Sequence, residues 1–252
     1  MEGYLKNRLK NKSFTIVNCV YICLLLLSSV YWIINFNIIN LLMSFLYIFF
    51  VPLLYVVERL LKIRFGSLFT ALLYVIPIGS ILGSCYNFYA LIPFLDLILH
   101  GLSGVIFASL GFCFFQLFLK VENNKSFFGC LLFAFFFSLA VAVLWEIFEY
   151  TVTMLTNFDM LADTYVYNIN SYVLSGTHGN AVNLDNVTKT VVYYGNGKTL
   201  TINGYLDIGL IDTLEDMIIC SIGATLFSLI AVISHYKIPS INDALIPKIE
   251  DK

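Results

Sequence analysis

The chain has 252 residues, 60% of them hydrophobic and only 12% charged, with a mean hydropathy of +0.87. Soluble domains carry about 25% charged residues, so a water-soluble enzyme and a nucleic-acid-binding domain are both excluded, and a polytopic membrane protein is indicated. The formal net charge of −2 says nothing about partners beyond the lipid bilayer, because the charges are segregated along the chain.

A basic stretch (Lys6, Arg8, Lys10, Lys12) precedes an apolar run that starts at Phe14. The run is longer than a signal-peptide core, and no small-x-small cleavage site follows it. It reads as an uncleaved first span over roughly 14–36. After a break at Asn37-Ile38-Ile39-Asn40, a second span covers roughly 41–57 and ends in Glu58, Arg59, Lys62 and Arg64. A third, roughly 68–87, contains Pro77 and Gly79, which predict a kink. Pro93 opens a fourth over roughly 94–119. A polar turn with Lys120, Glu122 and Lys125 leads to a fifth, roughly 127–155, which completes the segment 1–155. The sixth span covers roughly 208–236, and a polar tail, 237–252, follows.

Basic residues alternate cleanly between the ends of the spans. The N-terminus, the 2–3 loop and the 4–5 loop carry them, whereas the 1–2 and 3–4 loops carry none. By the positive-inside rule both termini are cytoplasmic. The segment 156–207 is then extracytoplasmic, and it is the one shift in composition, rich in Asn, Thr, Tyr and Gly. Within it, Thr190–Tyr194 and Lys198–Ile202 flank Gly195-Asn196-Gly197, the pattern of a β-hairpin. A loop this long beside very short ones suggests a small cap, with a floppy insertion as the alternative. His178 within it reads as a surface histidine. The expected fold is therefore all-α and polytopic: a six-helix transmembrane bundle with a small β-containing loop insertion.

The six cysteines (Cys19, Cys23, Cys85, Cys113, Cys130, Cys220) all fall in or beside apolar runs, with no C-x-x-C pair. They read as buried apolar thiols, not as a zinc or redox motif.

Three spans carry ionisable residues that hydrocarbon disfavours. The fourth has Asp96 and His100, four apart and so stacked on one helix face. The fifth has Glu146 and Glu149 in the stretch Ala142-Val143-Leu144-Trp145-Glu146-Ile147-Phe148-Glu149-Tyr150. The sixth has Asp212 and Asp216, with Glu215 beside them. At about 1.5 Å per residue, the first pair lies roughly 3–10 Å inside the start of its helix, the third roughly 6–12 Å, and the second roughly 9–14 Å before the end of its helix. The fourth and sixth spans enter from the side toward which the fifth leaves, so all three pairs fall at about one level, in the outer leaflet.

No Lys or Arg lies in the outer halves of these spans. Five unpaired acids would cost roughly 13–17 kcal/mol, as much as the whole stability of a typical protein, about 5–15 kcal/mol. Protons or bound cations must compensate. Carboxylates and one imidazole at these spacings are the ligand types of metal sites embedded in helical bundles. An oxygen-rich shell suits Mg²⁺, Mn²⁺, Fe²⁺ or Zn²⁺. The expected ligand set is Asp96, His100, Glu146, Glu149, Asp212 and Asp216. Favourable placement of acids at helix starts accounts for Asp96 and Asp212 but not for the deeper residues. Trp145, Tyr150 and Tyr89 suit an aromatic belt, and Gly101, Gly104, Gly223 and Ala224 suit close helix packing.

At these residues the sequence resembles the YjdF-like family of bacterial inner-membrane proteins. The resemblance covers roughly 89–224 without the outer loop. It rests on Asp96-x-x-x-His100-x-x-x-Gly104, Trp145-Glu146-x-x-Glu149, and Asp212-Thr213-x-x-Asp216-Met217 followed by Gly223-Ala224. In the family pattern an Asn follows the last Asp by four residues; here that place is Cys220. Glu215 is peculiar to this chain, and the long outer loop looks like an insertion. The resemblance implies six helices in the bacterial inner membrane and supplies no reaction.

Three readings of function are open at this point. One is a metal-dependent hydrolase or transferase acting on a lipid or lipid-linked substrate, with the loop as a selecting cap. The second is a cation or proton-coupled transporter, although no inverted repeat is visible and the inner halves of the last three spans carry no matching polar path. The third is a non-catalytic envelope protein whose acids hold a structural ion.

Overall fold

The computed structural model describes Tyr4 and residues 8–156, 158–177 and 179–249. Lys6 and His178 lie outside the described residues. Among those described, six helices are long and apolar enough to cross a membrane. The first is α1 (Lys12–Ile34), and the second is built of α2 (Ile38–Ile48) and α3 (Phe50–Leu61). β1 (Ile63–Arg64) leads to the third span, α4 (Ser67–Ser80), and a short α5 (Phe88–Leu91) follows. The fourth, fifth and sixth spans are α6 (Leu95–Phe118), α7 (Asn124–Leu155) and α9 (Leu210–Tyr236). Between α7 and α9 lie β2 (Thr164–Val166), β3 (Ile169–Ser171), α8 (Tyr172–Ser175), β4 (Val182–Leu184), β5 (Thr190–Tyr194), β6 (Lys198–Ile202) and β7 (Tyr205–Asp207). α10 (Pro239–Leu245) and β8 (Lys248–Ile249) close the described chain.

The ends of the helices have local causes. Asn11 caps α1 by accepting a hydrogen bond from Phe14 N at 3.2 Å, and Asn37 caps α2 by accepting one from Asn40 N at 3.1 Å. α3 stops at Lys62, which adopts the left-handed conformation. Pro77 lies inside α4, and a five-residue π-helical turn, Ile81–Cys85, follows it. An interrupted backbone ladder of this kind is where long helices bend.

The chain divides into two compact units, residues 1–143 with 217–252, and residues 144–216. α7 and α9 each pass from one into the other. In the first unit the core is built from Tyr21, Leu25, Phe69, Leu73, Ile106, Phe112, Phe127 and Phe227, with Ala108, Ala134, Ala224 and Ala231 where backbones come close. Hydroxyls and amides join the first three spans. Ser28 and Ser44 share a hydrogen bond of 2.8 Å, Tyr74 donates to Asn18 Oδ1 at 2.6 Å, and the Tyr21 and Tyr74 rings stack at 3.8 Å. Between helices surrounded by lipid, such contacts and small residues supply what hydrophobic burial cannot.

The stretch after α9 folds back on this unit. β8 pairs antiparallel with β1, setting Ile63 opposite Ile249 and Arg64 opposite Lys248. Ser109, in the middle of α6, donates to Leu245 O at 2.7 Å, and Ile246 and Pro247 are buried. Near the same end, Arg8 Nη2 lies 2.6 Å from Glu58 Oε1 and 2.9 Å from Phe65 O, with its guanidinium over the Phe14 ring. Both charges are buried.

The second unit holds the last turns of α7, the loop and the first turns of α9. The loop is a folded structure of three antiparallel pairs, β2–β7, β3–β4 and β5–β6. β5 and β6 pair from Thr190↔Ile202 to Tyr194↔Lys198 around a turn in which Gly195 and Gly197 have positive φ. Gly209 also has positive φ, and a Cβ there would run into Leu161. This bend carries β7 into α9, whose first turn is held by Asp207 Oδ2 accepting from Ile211 N at 2.9 Å.

Cys85, Cys113, Cys130 and Cys220 are buried, but Cys19 and Cys23 are exposed on α1. The expectation of six buried thiols fails there because hydropathy does not distinguish a protein interior from lipid.

Candidate metal centre

Glu146 and Glu149 stand three apart near the end of α7, about one turn of helix, and both are buried. Asp216, in the second turn of α9, is buried to 1% exposure. Within the second unit these three residues come together, each presenting a carboxylate oxygen within 4.8 Å of the others. A triangle of such sides has its centre no more than about 2.8 Å from each corner. Hard cations take oxygens at about 2.0–2.6 Å, so small rotations of the side chains close the site.

Asp212 lies one turn before Asp216 on the same helix face, and the pair also offers oxygens within 4.8 Å of each other. Asp212 is only partly buried, and its Oδ2 accepts a hydrogen bond from Ala162 N at 2.8 Å. One of its oxygens is thus engaged in holding the loop. Glu215, beside Asp216 in sequence, is exposed.

In the first unit, Asp96 sits in the first turn of α6 and His100 one turn further on, with Nε2 at 3.8 Å from Asp96 Oδ1. His100 is buried, whereas the Asp96 side chain is 39% exposed. The chain therefore carries a buried set of His, Glu and Asp side chains: His100, Glu146, Glu149 and Asp216.

Two features escape sequence reading. Trp145, assigned to an aromatic belt, donates its indole N–H to Glu149 Oε1 at 2.9 Å. The i, i+4 spacing of the two residues was the available signal. Lower on the same helices, in the first unit, Ser138 donates to Gly104 O at 3.0 Å and lies 3.7 Å from Cys220 Sγ, with Ser103 at 3.9 Å from that sulfur. A Cβ on Gly104 would overlap the Cys220 backbone, and one on Gly223 would overlap Gly101. α6 and α9 meet backbone to backbone, and Cys220 lies at that junction.

No curated protein and no solved structure matches the chain. The family described as predicted membrane protein (DUF2238) matches residues 15–237, and it is the same family as the YjdF-like one. The match takes in five of the six spans whole, the first from residue 15 on, and every residue of the buried His, Glu and Asp set, and the chain belongs to this family of membrane proteins.

Proposed function

We propose that the buried acids hold a divalent cation in the outer leaflet, and that the chain is a cation-dependent hydrolase or transferase for a lipid or lipid-linked substrate. The observation that carries this reading is the trio Glu146, Glu149 and Asp216, buried with oxygens within 4.8 Å of one another. At an effective dielectric constant of 20, each ionised pair at that distance repels by about 3.5 kcal/mol. Three pairs amount to about 10 kcal/mol, comparable with a whole folding free energy. An oxygen-only trio favours a hard ion such as Mg²⁺ or Mn²⁺, and an added imidazole suits Fe²⁺ or Zn²⁺ as well.

His100 is included on the sequence argument alone, since the helical rise per residue sets it at about the level of the acids on the other two spans. The basic residues at the opposite end of the spans set this level in the outer leaflet, with both termini cytoplasmic.

When bound, the cation supplies activation of water or polarisation of an ester or phosphoryl oxygen. Of the chain's own residues, Glu146, Glu149 and Asp216 bind it, and Trp145 holds Glu149 in place. A carboxylate not engaged in ligation takes the proton from water. Asp212 fixes the loop at the mouth of the site, where it can select substrate.

The test is reconstitution of the purified chain into phospholipid vesicles, with lipid turnover and ion flux followed side by side. Turnover that stops with a chelator, returns with one divalent metal and is absent in Glu149→Gln supports the reading. Flux without turnover makes the chain a transporter, and neither activity in a metal-loaded protein makes the ion structural.

A further inference from the structure

At the end of the first unit that carries the basic turns, a cavity of about 650 Å³ opens between the close of α6, the start of α7, the end of α9 and the returning C-terminal stretch. Its volume falls in the range of small-molecule sites, about 300–1,000 Å³. Its floor is apolar: Phe112 and Phe127 are 3% and 2% exposed, and Ile246 and Pro247 are buried beside them. Its rim is polar, with Gln116, Lys120, Glu122, His235 and Lys248. None of these residues belongs to the acidic centre.

The rim is held in place. The His235 ring stacks on Phe127 at 4.1 Å and 17°. Lys248 is positioned by the β1–β8 ladder, whose register sets Arg64 opposite it. The Ser109 bond to Leu245 O fixes the segment that leads into this strand. Exposed apolar surface borders the cavity. Leu119 lines it while 58% exposed, and its neighbour Phe118 is 84% exposed.

An apolar floor, a rim with two lysines and a bordering exposed apolar surface at the end of membrane spans suit one kind of ligand. We propose that this cavity binds an anionic phospholipid, with its phosphate between Lys120 and Lys248 and its glycerol and upper acyl carbons on Phe112, Phe127 and Ile246. Basic pockets between spans are the usual form of headgroup sites. A soluble phosphate would find the same cations but would leave the apolar floor unfilled.

The experiment uses the full chain in a neutral detergent. Phosphatidylglycerol, phosphatidylcholine and inorganic phosphate are each titrated, with bound lipid read by native mass spectrometry and stability by thermal unfolding. Phosphatidylglycerol should bind about tenfold more tightly than phosphatidylcholine. The double variant Lys120→Gln/Lys248→Gln should lose that preference, whereas Lys125→Gln/Lys237→Gln, with the same charge removed outside the cavity, should keep it. If the double variant does not fold, Lys120→Gln alone, on the exposed turn, should lose about half the preference on a logarithmic scale. Equal binding of the two lipids, or a preference unchanged by the cavity variants, overturns the proposal. So does inorganic phosphate binding as tightly as phosphatidylglycerol, which would make the ligand a soluble phosphate.

Discussion

Gly104 lies against the backbone of Cys220, with no space between them for even a methyl group. The contact brings α6 and α9 together backbone to backbone within the first unit. Gly104→Ala should therefore force the helices apart, at a cost of about 1–3 kcal/mol. Thermal unfolding in detergent measures this. Gly129→Ala is the control: nothing lies within 4 Å of a Cβ there, so it should be neutral or stabilising by up to about 1 kcal/mol.

Trp145→Phe keeps the aromatic body but removes the N–H that reaches Glu149 Oε1. Partners that orient a ligand typically contribute about 10–100-fold in metal affinity. The variant should fold normally and bind divalent cation at least about tenfold more weakly in a competition titration. Unchanged affinity would return Trp145 to a purely interfacial role.

Asp212 has a loop contact that a ligand does not need. Asp212→Asn keeps an oxygen to accept from Ala162 N, whereas Asp212→Ala does not. Limited proteolysis between 156 and 207 should be accelerated in the alanine variant and nearly unchanged in the asparagine one. A neutral acceptor forms the weaker bond, so a small residual effect of the asparagine is expected.

The buried Arg8–Glu58 pair ties the N-terminal residues to the end of α3. Removing one partner of such a pair leaves a buried charge and costs about 3–5 kcal/mol. Arg8→Met alone should lower the unfolding temperature substantially. Arg8→Met with Glu58→Gln should recover part of the loss, because no charge is left buried and the amide oxygen still accepts from Phe65 N.

The six spans are legible in the sequence because a long apolar run in hydrocarbon must satisfy its backbone within itself, and a helix does so. The break at Asn37 is legible because an asparagine that begins a helix also ends the approach to it. The docking of Ile246 and Pro247 is not legible: two apolar residues in a polar stretch have no periodicity to read. Nor is the side on which Cys19 and Cys23 face, since lipid and protein core look alike to a hydropathy scale. Within the site, helical rise alone brings Glu146, Glu149 and Asp216 to about one level. The partner of Asp212 is a backbone N–H fifty residues away, and no local spacing reveals a contact of that range.

The central claim is that a divalent cation neutralises Glu146, Glu149 and Asp216, and metal analysis of the purified chain tests it most directly. Protein prepared without chelator should carry stoichiometric divalent metal, and Glu146→Gln and Asp216→Asn should lose it while keeping their helical content. In the presence of chelator the sign of the stability effect should invert, with both variants unfolding at higher temperature than the parent because one repelling charge is gone. A parent chain that is metal-free, takes up no divalent cation on titration and is no less stable than its variants under chelation would contradict the account.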